Sequence, residues 1–140
     1  MHCVKTPTGA MALCTRVSFG VSLLLVGLIH YMAFEGFKGM ASDGMGVLEP
    51  LGTLWAYILP ALMIVGGALL ALGMFMEIAA WLIGVALGSI PLGMLLKPLL
   101  SAMDTNLTSA MPMVVNAFIW ILVAFFVIQT IDCCGSCKDK

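Results

Sequence analysis

Charged residues are scarce in this chain of 140 residues. They make up only 9% of it, with six lysines and arginines against seven acidic residues, whereas 62% of the residues are apolar. Soluble domains are about 25% charged and roughly 45–50% apolar. The net charge of −1 also provides no basic patch from which a nucleic acid would release counterions. These absences exclude a soluble globular domain and a nucleic-acid partner, and the length predicts one domain.

The apolar–polar alternation that marks half-buried strands is also missing. Apolar residues instead form four long runs, at residues 17–34, 51–76, 78–96 and 111–131. About 20 helical residues span the hydrocarbon core of a bilayer, and a helix satisfies its own backbone hydrogen bonds there. The sequence therefore predicts an all-α polytopic membrane protein, an antiparallel bundle of four transmembrane helices. Residues 1–140 form a single membrane domain whose short termini, 1–16 and 132–140, carry the cysteines.

An even number of spans places both termini on the same side of the membrane. The basic residues on that side are Lys5, Arg16, Lys138 and Lys140, and those on the other side are Lys38 and Lys97. The positive-inside rule then predicts cytoplasmic termini. The first run is longer than the apolar core of a signal peptide, and no A-x-A-like cleavage site follows it. We therefore expect it to be retained as a transmembrane helix.

Small residues recur at helical spacing in two of the predicted helices. Gly20 and Gly27 are seven residues apart and share one face of the first helix. Ala80, Gly84 and Gly88 form a continuous stripe on the third helix. Small residues let two transmembrane helices approach closely. The stripe therefore predicts that the third helix packs against another helix, through self-association or in a complex with other membrane subunits.

Polar and amphipathic side chains gather in the leaflet opposite the termini. At about 1.5 Å per residue, His30, Trp55, Tyr57 and Asn116 fall at similar depths in three of the helices. One interpretation is an aromatic belt with a single interhelical hydrogen bond, since Trp and Tyr favour that depth. The other is a pocket for the headgroup of a quinone, because polar groups inside a bilayer indicate function. His30 and Asn116 would then bond the quinone oxygens, and Trp55 and Tyr57 would line its ring.

The chain ends in a cysteine-rich segment, "IDCCGSCKDK". The five cysteines of the chain are Cys3, Cys14, Cys133, Cys134 and Cys137. Cys134 and Cys137 have the spacing of two zinc ligands, and the first two cysteines or His2 could complete a four-ligand site. The alternatives are a redox dithiol, which needs no further ligand, and idle or lipid-modified thiols. In a reducing compartment a permanent disulfide is not expected.

The stretch "TRVSFGVSLLLVGLIHYMAFEGFKG" combines an arginine, a glycine-spaced first helix and a polar turn, at Arg16, Gly20, Gly27 and Lys38. It looks like the opening of the DoxX/DoxD-like small membrane proteins. The stretch "ILPALMIVGGALLALGMFMEIAAWLIGVALG" is similar to the second and third helices of that family. The resemblance covers residues 15–131 and transfers no catalytic residue. It implies a four-helix subunit that accompanies redox partners, in some members a thiosulfate:quinone oxidoreductase.

Two functions from different classes fit these features. The first is a structural or accessory subunit of a larger membrane complex, which packs through the Ala80–Gly84–Gly88 stripe and is not an enzyme on its own. The second is a quinone- or thiol-linked, DoxX-like redox protein that uses the polar layer and the cysteine-rich end. The first needs fewer special residues, so the sequence favours it. A channel or transporter is disfavoured because the predicted spans contain no charged side chain.

Overall fold

A computed structural model describes residues 7–100 and 107–135 of the chain. This part contains five α-helices, a 3₁₀ turn at Gly46–Leu48 and no β-strand. The helices are α1 (Pro7–Met32), α2 (Phe34–Ser42), α3 (Glu49–Leu72), α4 (Met76–Leu100) and α5 (Leu107–Gly135). The stretches long and apolar enough to cross a bilayer are Pro7–Met32, Gly46–Leu72, Met76–Lys97 and Met111–Thr130. The prediction of an all-α, multi-pass membrane protein with four spans is thereby confirmed.

The helix bounds differ from the predicted runs in several places. α1 already includes Pro7, ten residues before the start of the predicted run at residue 17. α3 ends at Leu72 rather than at residue 76, because Gly73 takes the left-handed conformation with φ 72° and ψ 28°. α4 continues through Pro91 to Leu100, beyond the predicted end at residue 96. α5 begins four residues before the predicted run, at residue 107.

The polar segment between the first two predicted spans contains the helix α2. The Ser42 side chain is buried at its end. α2 packs on the start of α3, where a Cβ atom on Gly52 would lie 2.6 Å from the carbonyl oxygen of Ala41. The Nζ atom of Lys97, near the end of α4, donates a hydrogen bond of 2.8 Å to the carbonyl of Met40. α2 therefore lies against the end of the bundle at which α1 ends and α3 begins.

α1 and α3 run antiparallel with their backbones in close contact. A Cβ atom on Gly20 would lie 2.7 Å from the carbonyl oxygen of Gly67, and one on Gly27 would lie 2.9 Å from that of Pro60. At these distances a larger side chain would force the two helices apart. Gly20 and Gly27 thus lie on the contact face of α1, and the helix that they meet is α3 of the same chain.

The other helices complete the bundle. α4 folds back along α3, so that a Cβ atom on Gly66 would lie 2.9 Å from the Ile83 side chain. α5 packs on α4 and returns to α1, where the rings of Trp120 and Phe19 lie 5.6 Å apart between centroids. The four long helices thereby enclose a common interior.

Apolar side chains fill this interior and also cover its outer surface. Leu23, Leu70 and Ile83 are almost completely buried. On the outside, Trp81 is 71% exposed and Phe126 is 63% exposed. Soluble monomers rarely expose large contiguous apolar patches. A surface of this kind is suited to contact with lipid tails, as the span lengths also require.

Candidate functional site

A cavity of about 330 Å³ lies between α1, α3, α4 and α5. Its walls are formed by Leu23, Val26, His30, Met63, Leu87, Ile90, Met94, Met113, Asn116, Ala117 and Trp120. Most of these side chains are apolar, and His30 and Asn116 supply its polar groups together with the indole of Trp120. The structure therefore brings two members of the predicted polar layer to one cavity.

His30 is held in one orientation near the end of α1. Its Nδ1 atom lies 2.7 Å from the carbonyl oxygen of Val26, one helical turn earlier. Its ring makes a T-shaped contact with Phe37 of α2, with 4.4 Å between centroids and 81° between planes. A carbonyl oxygen only accepts hydrogen bonds, so Nδ1 must carry the proton of the neutral ring. The other nitrogen, Nε2, then offers a lone pair.

Asn116 enters the cavity from α5. Met113 and Trp120 lie three residues before it and four residues after it, and therefore share its helix face. The Asn116 side chain is exposed and makes no hydrogen bond within the part of the chain that the structure describes. Its amide offers two donors and one acceptor. In a lipid environment such a group needs a partner, because an unpaired amide is costly there.

The other two predicted pocket residues lie elsewhere. The indole N–H of Trp55 donates a hydrogen bond of 3.1 Å to the Oγ of Ser89, which ties α3 to α4. Tyr57 is exposed, and its ring packs against Phe34 with 4.5 Å between centroids. Its backbone carbonyl accepts a hydrogen bond of 2.8 Å from the hydroxyl of Tyr31. Neither Trp55 nor Tyr57 is among the residues that line the cavity.

The wall of the cavity contains residues that the sequence did not single out. Trp120 takes the place that Trp55 was expected to fill, and Met63, Met94 and Met113 contribute thioether groups. The spacing of Trp120 after Asn116 could have indicated its position, since residues four apart lie on the same helix face. Met63 and Met94 depend on the register between helices, which no spacing within one helix reveals.

The small-residue stripe of α4 faces outward. Gly84 and Gly88 are exposed, and Ala80 is partly so. A Cβ atom on Gly84 or Gly88 would meet no atom within 4 Å. The helix that was expected to pack there is therefore not among the described residues of this chain.

Arg16 lies between α1 and the turn that joins α3 to α4. A Cβ atom on Gly73 would lie 2.7 Å from one guanidinium nitrogen of Arg16. Gly73 caps the C-terminus of α3, where positive charge is favourable because of the helix dipole. The Nε atom of Arg16 is buried and has no hydrogen-bond partner among the described residues.

The cysteines fall mostly at the edges of the described structure. Cys14 is exposed and makes no disulfide. Cys133 and Cys134 lie in the last turns of α5, whereas Cys3 and Cys137 lie outside the described residues. Within residues 7–100 and 107–135, no three His, Cys, Asp or Glu side chains form a group that could hold a metal. The zinc and dithiol hypotheses for the cysteine-rich end remain predictions.

No protein-family model, curated protein or solved structure matches this chain. The resemblance to the DoxX/DoxD-like proteins therefore rests on sequence pattern alone. The two features of the structure that bear on function are the cavity and the exposed face of α4.

Proposed function

We propose that this membrane protein binds a lipid-soluble, single-ring aromatic compound of the quinone class between its helices. The observation that carries the proposal is that His30 and Asn116, from the first and last spans, line the same cavity. Polar groups within a membrane are costly and mark binding sites for ions or substrates. A ligand with ring oxygens satisfies both side chains at once.

The size of the cavity supports a ligand of this class. A cavity of roughly 150 Å³ holds benzene, and ligand pockets typically measure about 300–1,000 Å³. The present cavity, at about 330 Å³, has room for a substituted ring and the first part of a lipid tail. Trp120 and three methionines form its wall, and thioether and aromatic groups make favourable contacts with a ring.

The competing interpretation of the polar layer is an aromatic belt with one interhelical hydrogen bond. Trp55 and Ser89 make such a bond between α3 and α4. No hydrogen bond joins His30 and Asn116, and the hydrogen bond that His30 makes runs from Nδ1 to the Val26 carbonyl. The belt interpretation therefore accounts for Trp55 and Tyr57, and a ligand accounts for His30 and Asn116.

Trp120 allows a direct test by fluorescence. A protein with Trp55→Phe and Trp81→Phe retains Trp120 alone in the cavity wall. We expect a short-chain benzoquinone to quench its fluorescence saturably in detergent, and Asn116→Leu to weaken binding by about twofold to tenfold for the hydrogen bond lost. The matched control retains only Trp81, which is 71% exposed on α4, and should show unsaturable quenching. Identical behaviour of the two proteins would refute the proposal.

An accessory role in a larger membrane complex is the second candidate, and the outward stripe of α4 favours it. Gly84 and Gly88 leave open space beside the helix, which another transmembrane helix could occupy closely. We expect Gly84→Leu and Gly88→Leu to abolish co-purification of a membrane partner, or of a second copy, while the protein still folds. Gly93→Leu is the matched control, because Gly93 lies on the opposite side of α4 from Gly84 and its Cβ atom would also meet no atom within 4 Å. A chain that purifies alone from native membranes in all forms would refute this role.

Thiol or zinc chemistry at the cysteine-rich end is a separate proposal that the cavity does not require. It predicts either bound zinc or a dithiol at Cys134 and Cys137 that titrates between reductant and oxidant. Metal analysis and thiol labelling of the purified protein, with Cys134→Ser as the control, measure both. Absence of zinc together with unchanged thiol labelling would end the proposal.

A further inference from the structure

We infer that the cavity selects ligands whose headgroup donates a hydrogen bond, such as a quinol or a phenol, over ligands whose oxygens only accept. The inference rests on the proposed function, because it concerns the chemistry of the ligand in the same cavity. The feature that carries it is the hydrogen bond between His30 and Val26.

That hydrogen bond decides which nitrogen of His30 is left for a ligand. At 2.7 Å from the Val26 carbonyl, Nδ1 is the donor and carries the proton of the neutral imidazole. Turning the ring over would break this bond. The T-shaped contact with Phe37, at 4.4 Å between centroids, holds the plane of the ring. The nitrogen available to a ligand is therefore Nε2, and it is a hydrogen-bond acceptor.

An acceptor at this position distinguishes the two redox forms of a quinone. The hydroxyl group of a quinol or phenol donates to Nε2. The carbonyl oxygen of a quinone and the oxygen of an ether have no proton to donate. Either oxygen would face the lone pair of Nε2, and both acceptors would remain without a donor. The residues that line the cavity include no carboxylate, so no acidic side chain of the wall competes with the ligand for Nε2.

Asn116 does not remove this selectivity. Its amide carries both donors and an acceptor, so it bonds a hydroxyl or a carbonyl equally well. Asn116 therefore contributes affinity for both forms, while His30 is the specificity-determining residue. The apolar walls increase the difference in affinity between the two kinds of ligand, because an unpaired polar group costs more free energy where water is excluded.

A pair of redox-inert probes tests the inference. A long-chain para-alkylphenol and its methyl ether differ only in the ability to donate a hydrogen bond. Binding is measured by Trp120 fluorescence or calorimetry at a mildly alkaline pH of about 8.5. We expect the phenol to bind about tenfold or more tightly than the ether. In His30→Phe the ratio should fall to about one, whereas Asn116→Leu should weaken both probes and preserve the preference.

Nitrogen NMR provides a readout that does not depend on the variants folding. In His2→Ala protein the remaining histidine is His30, and the ¹⁵N shifts of its ring report the tautomer. We expect a protonated Nδ1 and an unprotonated Nε2, with the phenol shifting only Nε2. A proton on Nε2 in the free protein would overturn the inference.

The outcomes separate the inference from the proposed function. Equal affinity of the unmodified protein for phenol and ether, with saturable binding of both, overturns the hydroxyl selectivity and leaves the ligand cavity standing. No saturable binding of quinone, phenol or ether overturns the proposed function itself. A phenol preference that persists in His30→Phe would also overturn the role of His30.

Discussion

A side chain on Gly20 would collide with the backbone of α3, since its Cβ atom would lie 2.7 Å from the carbonyl oxygen of Gly67. Neither helix backbone can give way at that distance without moving the whole helix. His30 lies ten residues further along α1 and lines the cavity. The close approach of α1 to α3 therefore also helps to position His30. The α1–α3 contact is therefore both structural and a determinant of the site.

The first prediction concerns this contact. Gly20→Ala should destabilise the protein by about 1–3 kcal/mol, because overpacking forces the helices apart. Gly84→Ala is the matched control, since its Cβ would meet no atom within 4 Å; it should be neutral or stabilising by up to about 1 kcal/mol. Thermal unfolding of both variants in detergent measures the difference. Equal stability of the two would contradict the α1–α3 packing.

The second prediction concerns the hydrogen bond between Trp55 and Ser89. Ser89→Ala removes the acceptor of the indole N–H and should cost about 1 kcal/mol. Trp55→Phe removes the donor. The double variant should lose less stability than the sum of the losses in the two single variants, because each substitution breaks the same bond. Strictly additive costs in a double-mutant cycle would show that the bond is not formed.

The third prediction concerns the attachment of α2. Lys97→Met removes the hydrogen bond from Nζ to the Met40 carbonyl while keeping the length of the side chain. We expect amide hydrogens of residues 34–42 to exchange faster, since α2 loses its tie to α4, while those of α5 remain unchanged. Hydrogen exchange read by mass spectrometry provides the measurement. Lys38→Met, which leaves this bond in place, is the control.

The fourth prediction concerns the turn between α3 and α4. Gly73→Ala should destabilise the protein by about 1–2 kcal/mol, because Gly73 has a φ of 72° and its Cβ would meet the Arg16 guanidinium. In an Arg16→Ala background the cost should shrink to the backbone part alone. Gly36→Ala, where a Cβ meets no atom within 4 Å, should cost little. An unchanged cost without Arg16 would mean that the guanidinium does not restrict this position.

Much of the fold was predictable from the sequence because the apolar runs exceed the bilayer thickness. The number of spans follows from length and hydropathy alone. The bounds were less predictable: nothing in the run 51–76 marks its end except the glycine at residue 73, whose left-handed conformation depends on how the chain turns. The helix α2 was missed because its short polar stretch is stabilised by contacts with α3 and α4.

The candidate site was predictable only in part, because contacts between helices determine which side chains meet. His30 and Asn116 stand out as polar residues within apolar runs, and depth along the helix places them at one level. The direction in which each side chain points around its helix separates His30 and Asn116 from Trp55 and Tyr57. Packing between the helices determines that direction. Gly20 and Gly27 fix the face of α1 that meets α3, but no comparable pattern fixes the face of α3 that carries Met63.

The central claim is that a ligand of the quinone class lies between the helices rather than in the surrounding lipid or detergent. A photoreactive long-chain alkylphenol, crosslinked to the purified protein and mapped by mass spectrometry, tests it most directly. We expect labelling of buried cavity residues such as Met63 and Leu87 that excess unlabelled phenol removes and that Asn116→Leu reduces. Labelling confined to outward side chains such as Phe125 and Phe126, and unaffected by competitor, would contradict the account.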